Sequence, residues 1–327
     1  MIKELLKKYH NHLITLATVV GFLFIPATAH AIDIKDAPVE IRNDFVLEPA
    51  KLEVNLNPGE KTVKTLSIVN RTDRTQNFSV SVEDFEGSKD PNQVVVLLGN
   101  DKSPYSLKDF IKPEVNSFTL KPKQRATMSV TISIPQDAEP GGRYGSVLVS
   151  SQPENTSASA DENKAHTISR LGALYFVRIA GNVKEDADLK DFRLTGASKA
   201  FYEKGPFNFE LLFENNSSVH LTPGGHVEIK NMLGHVVKQL DVVPFFSLPA
   251  SLRAATVSWD SPFAFGRYTA TAYIDRGYKD SPDVTDTKTI SFWVLPWKVL
   301  VVLLIAILLI AVVLRILLKS FEIRRKK

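Results

Sequence analysis

Short runs in which apolar and polar residues alternate occur along most of the chain. In the first half they lie at residues 51–56, 62–70, 78–85, 126–134, 144–150 and 173–183. In the second half they lie at residues 191–196, 207–216, 225–231, 235–240, 253–259, 267–274 and 287–294. Alternation with a period of two, combined with many β-branched residues, is typical of half-buried β-strands. Because no convincing amphipathic helix interrupts these runs, the pattern predicts an all-β fold for the middle of the chain.

Three sequence motifs occur twice, and in the same order. Each copy has a strand that ends in Asn-x-Ser/Thr, then a strand that begins with Arg-Ala, then a strand introduced by Gly-Arg-Tyr. The copies are LSIVNRT (66–72), RATMSV (125–130) and GGRYGSVLVS (141–150), then LLFENNS (211–217), RAATVSW (253–259) and FGRYTATAYI (265–274). Repeated blocks of short strands favour two-sheet sandwiches. The sequence therefore predicts two tandem immunoglobulin-like β-sandwiches, at residues 40–184 and 187–294.

The tyrosine of each Gly-Arg-Tyr phrase is predicted to have a structural role. In such sandwiches a Tyr at the start of a late strand often holds the preceding crossover through a hydrogen bond from its hydroxyl. Tyr144 and Tyr268 occupy equivalent positions in the two copies. We expect both to stabilise their own domain; direct contact with a ligand is the alternative.

The first 31 residues have the three parts of a secretory signal peptide. A basic start is followed by the apolar run LITLATVVGFLFIP (13–26), which is short for a membrane span, and then by AHA (29–31). Ala29 and Ala31 are the small residues that a signal peptidase requires. We expect cleavage after Ala31, with an uncleaved N-terminal anchor as the alternative.

A second apolar segment, at residues 297–318, predicts a transmembrane helix. It has no charged residue from Val299 to Leu314, and 22 helical residues cover about 33 Å, enough for a bilayer core. The residues expected to lie at the membrane interfaces are Trp293, Trp297, Lys298, Arg315 and Lys319. The tail at 319–327 is rich in basic residues, so the positive-inside rule places it in the cytoplasm. The sequence predicts a single-pass protein of the cell membrane with its N-terminal ectodomain outside.

The charge of the chain is concentrated at its two ends. The 327 residues have 40 basic and 36 acidic side chains, a formal net charge of +4. Three basic and one acidic residue belong to the signal peptide, and seven and one belong to residues 298–327, which leaves 30 and 34 for residues 32–297. The ectodomain is therefore acidic, and nucleic acid is not an expected partner. The chain also has no cysteine, which excludes disulfides and thiolate chemistry.

Candidate chemistry in the predicted ectodomain is sparse. No Gly-x-Ser-x-Gly, phosphate-binding Gly loop or His-Glu-x-x-His motif is present, and nothing pairs a nucleophile with a base. His220 and His226 are spaced so that a hairpin can bring their rings together, but a metal site would need a third ligand. The sequence therefore predicts neither an enzyme nor a cofactor or metal site.

The most distinctive local stretch is NNSSVHLTPGGHVEIKN (215–231). It places Asn215, Asn216, His220 and His226 around a Pro-Gly-Gly turn at one end of the second predicted sandwich. We interpret these four residues as a tentative partner-binding loop. Turn formation by the asparagines is the alternative, because Asn side chains often tie loops together.

The order of these features resembles the bacterial WxL-interacting proteins of Gram-positive cell surfaces. The resemblance is carried by the segments LEPAKLEVNLNPGEKTVKTLSIVNRT (47–72), IPQDAEPGGRYGSVLVS (134–150), LLFENNSSVHLTPGGHVEIKNMLG (211–234), FGRYTATAYI (265–274) and FWVLPWK (292–298). It covers nearly the whole chain. It implies a first Ig-like domain that binds peptidoglycan, a second that binds a host or partner molecule, and a C-terminal membrane anchor. It also implies that the partner is a surface protein with a Trp-x-Leu domain.

The sequence therefore predicts a membrane-anchored bacterial cell-surface protein with a binding or adhesion function. Its Ig-like domains are expected to bind cell-wall polymer (peptidoglycan) or another surface protein non-covalently. The alternative is a membrane-tethered scaffold or chaperone-like assembly component for secreted or surface subunits. In either case an exposed sheet edge offers a place where a partner can add a strand.

Overall fold

The computed structural model describes residues 32–153, 168–196, 201–261, 264–278 and 284–325. The predicted signal peptide, including Ala29 and Ala31, lies outside these ranges, as do the last two residues of the predicted tail.

The described part of the chain up to residue 179 forms domain 1, a sandwich of two sheets. The first sheet contains β1 (Asp33–Asp36), β2 (Phe45–Glu48), β4 (Lys61–Asn70), β7 (Ile111–Pro113) and β9 (Gln124–Ser133). Its order is β1-β9-β4-β2, and β7 also pairs with β9. The second sheet contains β3 (Lys51–Leu56), β5 (Gln76–Gly87), β6 (Val95–Leu97), β8 (Ser117–Leu120), β10 (Gly141–Pro153) and β11 (Ser169–Ile179). Its order is β3-β11-β10-β5-β6, and β8 also pairs with β5.

The core of domain 1 follows directly from the alternation in its strands. In β9 the side chains of every second residue are fully buried: Ala126, Met128, Val130 and Ile132. They pack against the inward faces of β10 and β11 in a single apolar cluster. One face of each sheet is therefore buried, as a two-layer sandwich requires.

Domain 2 repeats the plan with fewer strands. Its smaller sheet has the order β12-β13-β16, formed by β12 (Ala187–Leu194), β13 (Phe207–Asn215) and β16 (Ser251–Trp259). Its larger sheet has the order β15-β14-β17-β18, formed by β14 (Gly224–Asn231), β15 (Val236–Val242), β17 (Gly266–Asp275) and β18 (Thr285–Val294). The inward side chains of β13 and β17 share one apolar cluster. The prediction of an all-β chain with two tandem Ig-like sandwiches is confirmed.

The apolar C-terminal segment is helical. Helix α1 (Trp297–Arg325) follows β18 after only two residues, and its apolar side chains up to Leu318 are largely exposed. In the described part of the chain it is the single helix with the length and apolar character to cross a membrane. Because its apolar side chains are largely exposed within the described part of the chain, the helix is not a core element of either sandwich.

The two sandwiches are packed together through an apolar cluster of their own. Phe85, Tyr144 and Phe176 lie on the outer face of the second sheet of domain 1 and contact Leu248 of domain 2. Main-chain hydrogen bonds also cross the contact, from Gly142 N to Ser218 O (2.8 Å), from Leu252 N to Ser88 O (3.0 Å) and from Ala254 N to Pro91 O (3.1 Å). The domains therefore share a dry, hydrogen-bonded interface, and the space at its margin forms a cleft.

Candidate binding site between the domains

A pocket of about 320 Å³ lies at the margin of the domain interface. Domain 1 contributes strands β3 and β11, and domain 2 contributes the loops before β14 and after β17. The residues that line it are Glu53, Val54, Asn55, Phe176, Arg178, His220, Thr222 and Gly277. Most of its wall is polar, and the buried Phe176 ring packs behind it.

Strand β3 reaches the pocket because the chain changes sheets immediately before it. Strand β2 pairs with β4 in the first sheet, whereas β3 pairs in parallel with β11 in the second. Val54 and Leu56 point into the core, so the intervening Glu53 and Asn55 point outward, as alternation requires. This parity places a carboxylate and an amide at the pocket.

The outer edge of β3 is open. Among the described strands β3 pairs only with β11 and ends its sheet. The carbonyls of Ala50 and Leu56 accept hydrogen bonds from Leu174 N and Ala180 N, both at 2.9 Å. In a parallel pair, alternate residues direct both main-chain groups to the neighbour. Lys51, Glu53 and Asn55 therefore direct their N–H and C=O groups away from β11, toward the open edge.

An ion pair joins two of the outward side chains on β3, Lys51 and Glu53. Lys51 Nζ lies 2.6 Å from Glu53 Oε1, and also 4.8 Å from the centres of the Phe176 and Phe246 rings. The hydrogen bond from Lys51 lowers the pKa of Glu53 below its ordinary value of 4.5; partial burial opposes this shift, and the positive charges of Lys51 and His220 add to it. The carboxylate is therefore ionised at neutral pH.

A second ion pair lies deeper in the pocket. Arg178 Nη2 donates to Glu185 Oε1 at 3.0 Å, and the two side chains are only 13% and 7% exposed. Arg178 belongs to β11, and Glu185 belongs to the segment that joins the domains. Since breaking a buried ion pair leaves an uncompensated charge, this contact ties the connecting segment to domain 1.

His220 of domain 2 completes the inner wall of the pocket. Its Nδ1 lies 3.3 Å from the hydroxyl of Tyr144, and its ring meets the rings of Tyr144 and Phe176 edge to face at 5.8 and 5.2 Å. Burial raises the pKa of Tyr144 far above its ordinary value, so the hydroxyl stays neutral. Two rings from domain 1 thus fix the orientation of a histidine from domain 2.

The arrangement suits non-covalent binding of a polar or extended ligand. It combines main-chain donors and acceptors with side-chain charges of both signs. In the described residues no group of three or more His, Cys, Asp or Glu side chains is placed to hold a metal ion.

The structure separates the four residues of the tentative partner-binding loop. Asn215 is buried, and its amide donates to Val219 O and Ser247 O at 3.0 and 2.8 Å. Asn216 is exposed. His220 lies in the pocket, whereas His226 stacks on Tyr273 with ring centres 5.2 Å apart and does not line the pocket.

The two predicted structural tyrosines are placed differently. Tyr268 lies in the core of domain 2, where its hydroxyl accepts a hydrogen bond from Phe265 N at 3.3 Å. This contact holds the loop that precedes β17. Tyr144 instead lies at the interface between the domains, where its hydroxyl faces His220 of the other domain.

The predicted membrane-interface residues lie at the end of β18 and along α1. Trp293 and Trp297 are both exposed. Lys298 forms an ion pair with Glu203 of domain 2 at 3.1 Å. Arg315 and Lys319 are exposed on the C-terminal half of the helix.

Glu53, Phe176 and Arg178 were not singled out from the sequence. Each belongs to an alternating strand, where an outward polar or aromatic residue is ordinary. The one available signal was Arg178, a charge within the otherwise apolar run ALYFVRIAGNV (173–183).

Comparison with known proteins adds little beyond the fold. No protein-family model matches the chain, and no curated protein matches it. Solved structures with a similar fold include a chain of the chaperone–tip adhesin complex of CFA/I fimbriae, with 9% identity, 77% of this chain and 99% of that chain covered, and a TM-score of 0.37.

Two further similar structures come from enterobacteria. The E. coli chaperone DraB is 13% identical, covers 77% of this chain and 98% of its own, and has a TM-score of 0.33. A chain of the Salmonella enterica SafA pilin–SafB chaperone complex is 12% identical, covers 80% and 100%, and has a TM-score of 0.33. At these values the likeness carries no argument about ligands. What the chain itself establishes is a two-domain Ig-like protein with one helix apolar enough to cross a membrane.

Proposed function

We propose that this protein is a membrane-anchored, non-catalytic surface protein that holds an extended segment of another surface protein. The segment lies along β3 at the mouth of the interdomain cleft. The observation that carries the proposal is the open edge of β3, where three residues direct their main-chain groups outward. In function this is a tethered scaffold or chaperone-like assembly component.

Strand addition fits the chemistry of the site. An added strand satisfies the outward N–H and C=O groups of Lys51, Glu53 and Asn55, and main-chain bonds of this kind give affinity without demanding one sequence. The ionic side chains beside the edge supply contacts to the side chains of the bound segment. Because β3 ends its sheet, a new strand displaces no existing one.

The proposal includes the membrane topology expected from the sequence. Helix α1 crosses the cell membrane, both sandwiches lie outside, and the basic tail lies in the cytoplasm. The short link between β18 and α1 then holds domain 2 at the membrane surface, with the binding site at the end of that domain away from α1. A protein with a Trp-x-Leu domain is the partner class that the resemblance to WxL-interacting proteins supports.

The test uses a substitution that blocks the open edge and spares the β11 side. Asn55→Pro removes the outward N–H, whereas the ladder with β11 uses the flanking residues; proline is tolerated at such edge positions. With the full chain in nanodiscs and a purified Trp-x-Leu-domain surface protein as probe, we expect binding to weaken about tenfold, since one hydrogen bond contributes about 0.5–1.5 kcal/mol and the ring adds a clash.

Asn55→Ala is the matched comparison, because it removes the side chain and keeps the N–H. It is expected to weaken binding far less than Asn55→Pro, while thermal unfolding of the two variants stays similar. Equal binding by both variants and the unaltered chain would contradict strand addition at β3.

Binding of cell-wall polymer is a second candidate function, favoured by one observation. The pocket places Glu53, Asn55 and His220 together on a mainly polar wall, and such hydrogen-bonding groups suit the hydroxyls of a sugar. Purified wall sacculi serve as the probe. Sedimentation of the full chain with sacculi, lost in Asn55→Asp or Glu53→Gln, would support this function; a chain that stays in solution would exclude it.

A further inference from the structure

The end of domain 2 from which α1 emerges has an unusual number of exposed apolar side chains. The tip of the β14–β15 hairpin has Met232 and Leu233, which are 60% and 74% exposed. Three exposed aromatic residues accompany them: Phe201, Phe265 and Trp293. We call these five residues the membrane-proximal patch.

Strand register places the patch at one end of the sandwich. Gly266 at the start of β17 pairs with Val294 at the end of β18, and Asn231 at the end of β14 pairs with Tyr268. The hairpin tip therefore lies beside the end of β18, from which the chain continues into α1. Close contact confirms this, since a Cβ added to Gly266 would lie 2.9 Å from Met232 Cε.

The start of the helix is fastened to this same end. Tyr202 N donates to Trp293 O at 2.9 Å, and Leu295 N donates to Tyr202 O at 2.7 Å. Lys298 in the first turn of α1 pairs with Glu203 at 3.1 Å. The link between β18 and α1 is thus short and hydrogen-bonded, so the patch lies where a bilayer spanned by α1 would begin.

The opposite end of domain 2, in contrast, is covered by protein. It packs on domain 1, through contacts such as Gly142 N to Ser218 O. Within the described residues, no second domain covers the large apolar side chains of the patch, and exposed patches of this type mark interaction surfaces. Met, Leu, Phe and Trp together are the residues that enter the lipid interface.

We infer that the membrane-proximal patch inserts into the outer lipid interface of the same bilayer that α1 crosses. The hairpin tip and the aromatic residues form a second attachment beside the helix, which holds domain 2 against the membrane and restricts its swivelling. This inference rests on α1 being the proposed membrane anchor, and it is independent of what the cleft binds.

The absence of native cysteine makes a direct test simple. Three single-cysteine variants of the full chain, Leu233→Cys, Val243→Cys and Leu308→Cys, are labelled with an environment-sensitive fluorophore in phosphatidylcholine–phosphatidylglycerol vesicles. Val243 is the matched control, because it is 78% exposed and apolar and follows the other end of β15, whose seven residues span about 23 Å. Leu308 lies midway along the apolar part of α1 and reports on insertion of the anchor.

Quenching by lipids that have a spin label near the headgroup decides the question. We expect strong loss of fluorescence at Leu233, little at Val243, and quenching at Leu308 by lipids labelled deep in the acyl chain. Quenching at Leu308 with none at Leu233, or equal quenching at Leu233 and Val243, overturns the inference and leaves the anchor intact. No quenching at Leu308 overturns the anchor and the inference together.

A measurement without a probe guards against insertion driven by the fluorophore. Hydrogen exchange of residues 231–237 is compared in nanodiscs between the unaltered chain and the double variant Met232→Ser, Leu233→Ser. We expect faster exchange in the double variant, with residues 224–226 at the far end of β14 unchanged. Identical exchange in both proteins overturns the inference.

Discussion

The two Gly-Arg-Tyr strands share a local sequence, yet their tyrosines face opposite ways. In β17, Tyr268 and the residues two and four positions later, Ala270 and Ala272, point into the core of domain 2. In β10 the core residues are Val147 and Val149, an odd number of positions after the tyrosine. Because side chains alternate across a strand, Tyr144 lies on the outer face and meets the other domain.

The Asn-x-Ser/Thr motifs, in contrast, have the same role in both domains. Asn70 donates from its amide to Leu120 O at 3.0 Å and accepts from Thr72 N at 2.9 Å. Asn215 donates to Ser247 O and accepts from Ser217 N, both at 2.8 Å. The asparagine motif, whose buried side-chain amide bonds to main-chain groups, keeps its role in both domains. The tyrosine motif, which acts through one face of a strand, changes role with a shift of one residue.

Truncation of each tyrosine gives the largest expected difference between the copies. Tyr144→Ala and Tyr268→Ala should each lower the free energy of unfolding by about 3–5 kcal/mol, because both leave a cavity in packed aromatic surroundings. Only Tyr144→Ala should separate the domains, which limited proteolysis at residues 180–186 would detect. Equal cleavage of the two variants would contradict a docking role for Tyr144.

Removal of the two asparagine amides should show their equivalence. Asn70→Ala and Asn215→Ala each remove several hydrogen bonds, including the acceptor of a main-chain N–H, and we expect a loss of about 2–4 kcal/mol from each, since every unsatisfied group costs about 1–3 kcal/mol. Asn216→Ala, at an exposed position, should change stability by less than about 0.5 kcal/mol. Chemical denaturation of the three variants tests this, and a large loss for Asn216→Ala would contradict it.

Close approach of the domains can be tested at a glycine. A Cβ on Gly87 would lie 2.4 Å from Ser251 Cβ and 2.8 Å from Leu248 Cβ, whereas one on Gly172 would meet only the end of the flexible Leu148 side chain. Gly87→Ala should therefore destabilise the docked protein by about 1–3 kcal/mol, and Gly172→Ala should have a smaller effect. Thermal unfolding distinguishes them, and the reverse order would show that the interface is looser than described.

Removal of the tyrosine hydroxyls alone should lower the free energy of unfolding less than removal of the whole side chains. Tyr144→Phe and Tyr268→Phe each lose one polar contact of 3.3 Å, which corresponds to about 0.5–1.5 kcal/mol. His220→Ala should lower the free energy of unfolding less in the Tyr144→Phe variant than in the unaltered chain, because the two side chains contact each other. Additive losses would indicate that the hydroxyl and the ring act independently.

The smallest effect on stability is expected from Glu53 and Lys51, the charged residues that domain 1 contributes at the margin of the cleft. The pKa of Glu53 is lowered in the folded state, so its ionised form stabilises the fold above the unfolded pKa, and this contribution is lost as pH falls through the lowered value. Below about pH 4.5, Glu53→Gln should therefore show a slightly flatter dependence of stability on pH. Lys51→Met should raise the pKa of Glu53 in a titration followed by NMR; an unchanged value would contradict the pairing.

Much of the strand pattern was predictable from the sequence. The run at 126–134 corresponds to β9, and the run at 253–259 corresponds to the latter part of β16. The short strands β1, β2, β6, β7 and β8 were not predicted, because three or four residues are too few to show a clear period of two. They form where a longer strand offers them an edge, as β9 does for β1 and β7.

The candidate site was predicted only in part. His220 was included in the tentative partner-binding loop, but its companions in that loop lie elsewhere. The residues that join it in the cleft, Glu53 and Arg178, come from strands more than 120 positions apart in sequence. Apart from the charge of Arg178 within a mainly apolar run, nothing local marks them. Their proximity depends on the parallel pairing of β3 with β11 and on the docking of domain 2.

The sequence by itself determined the alternating strands, the duplicated plan and the apolar helix, because each of these depends on residues close together in the chain. Only the tertiary structure decided which face of β10 holds Tyr144, where β3 leaves an open edge and which apolar side chains surround the start of α1. Those features depend on strand register and on the docking of one sandwich against another. Both are set by contacts between distant residues, where a shift of one position reverses every side chain.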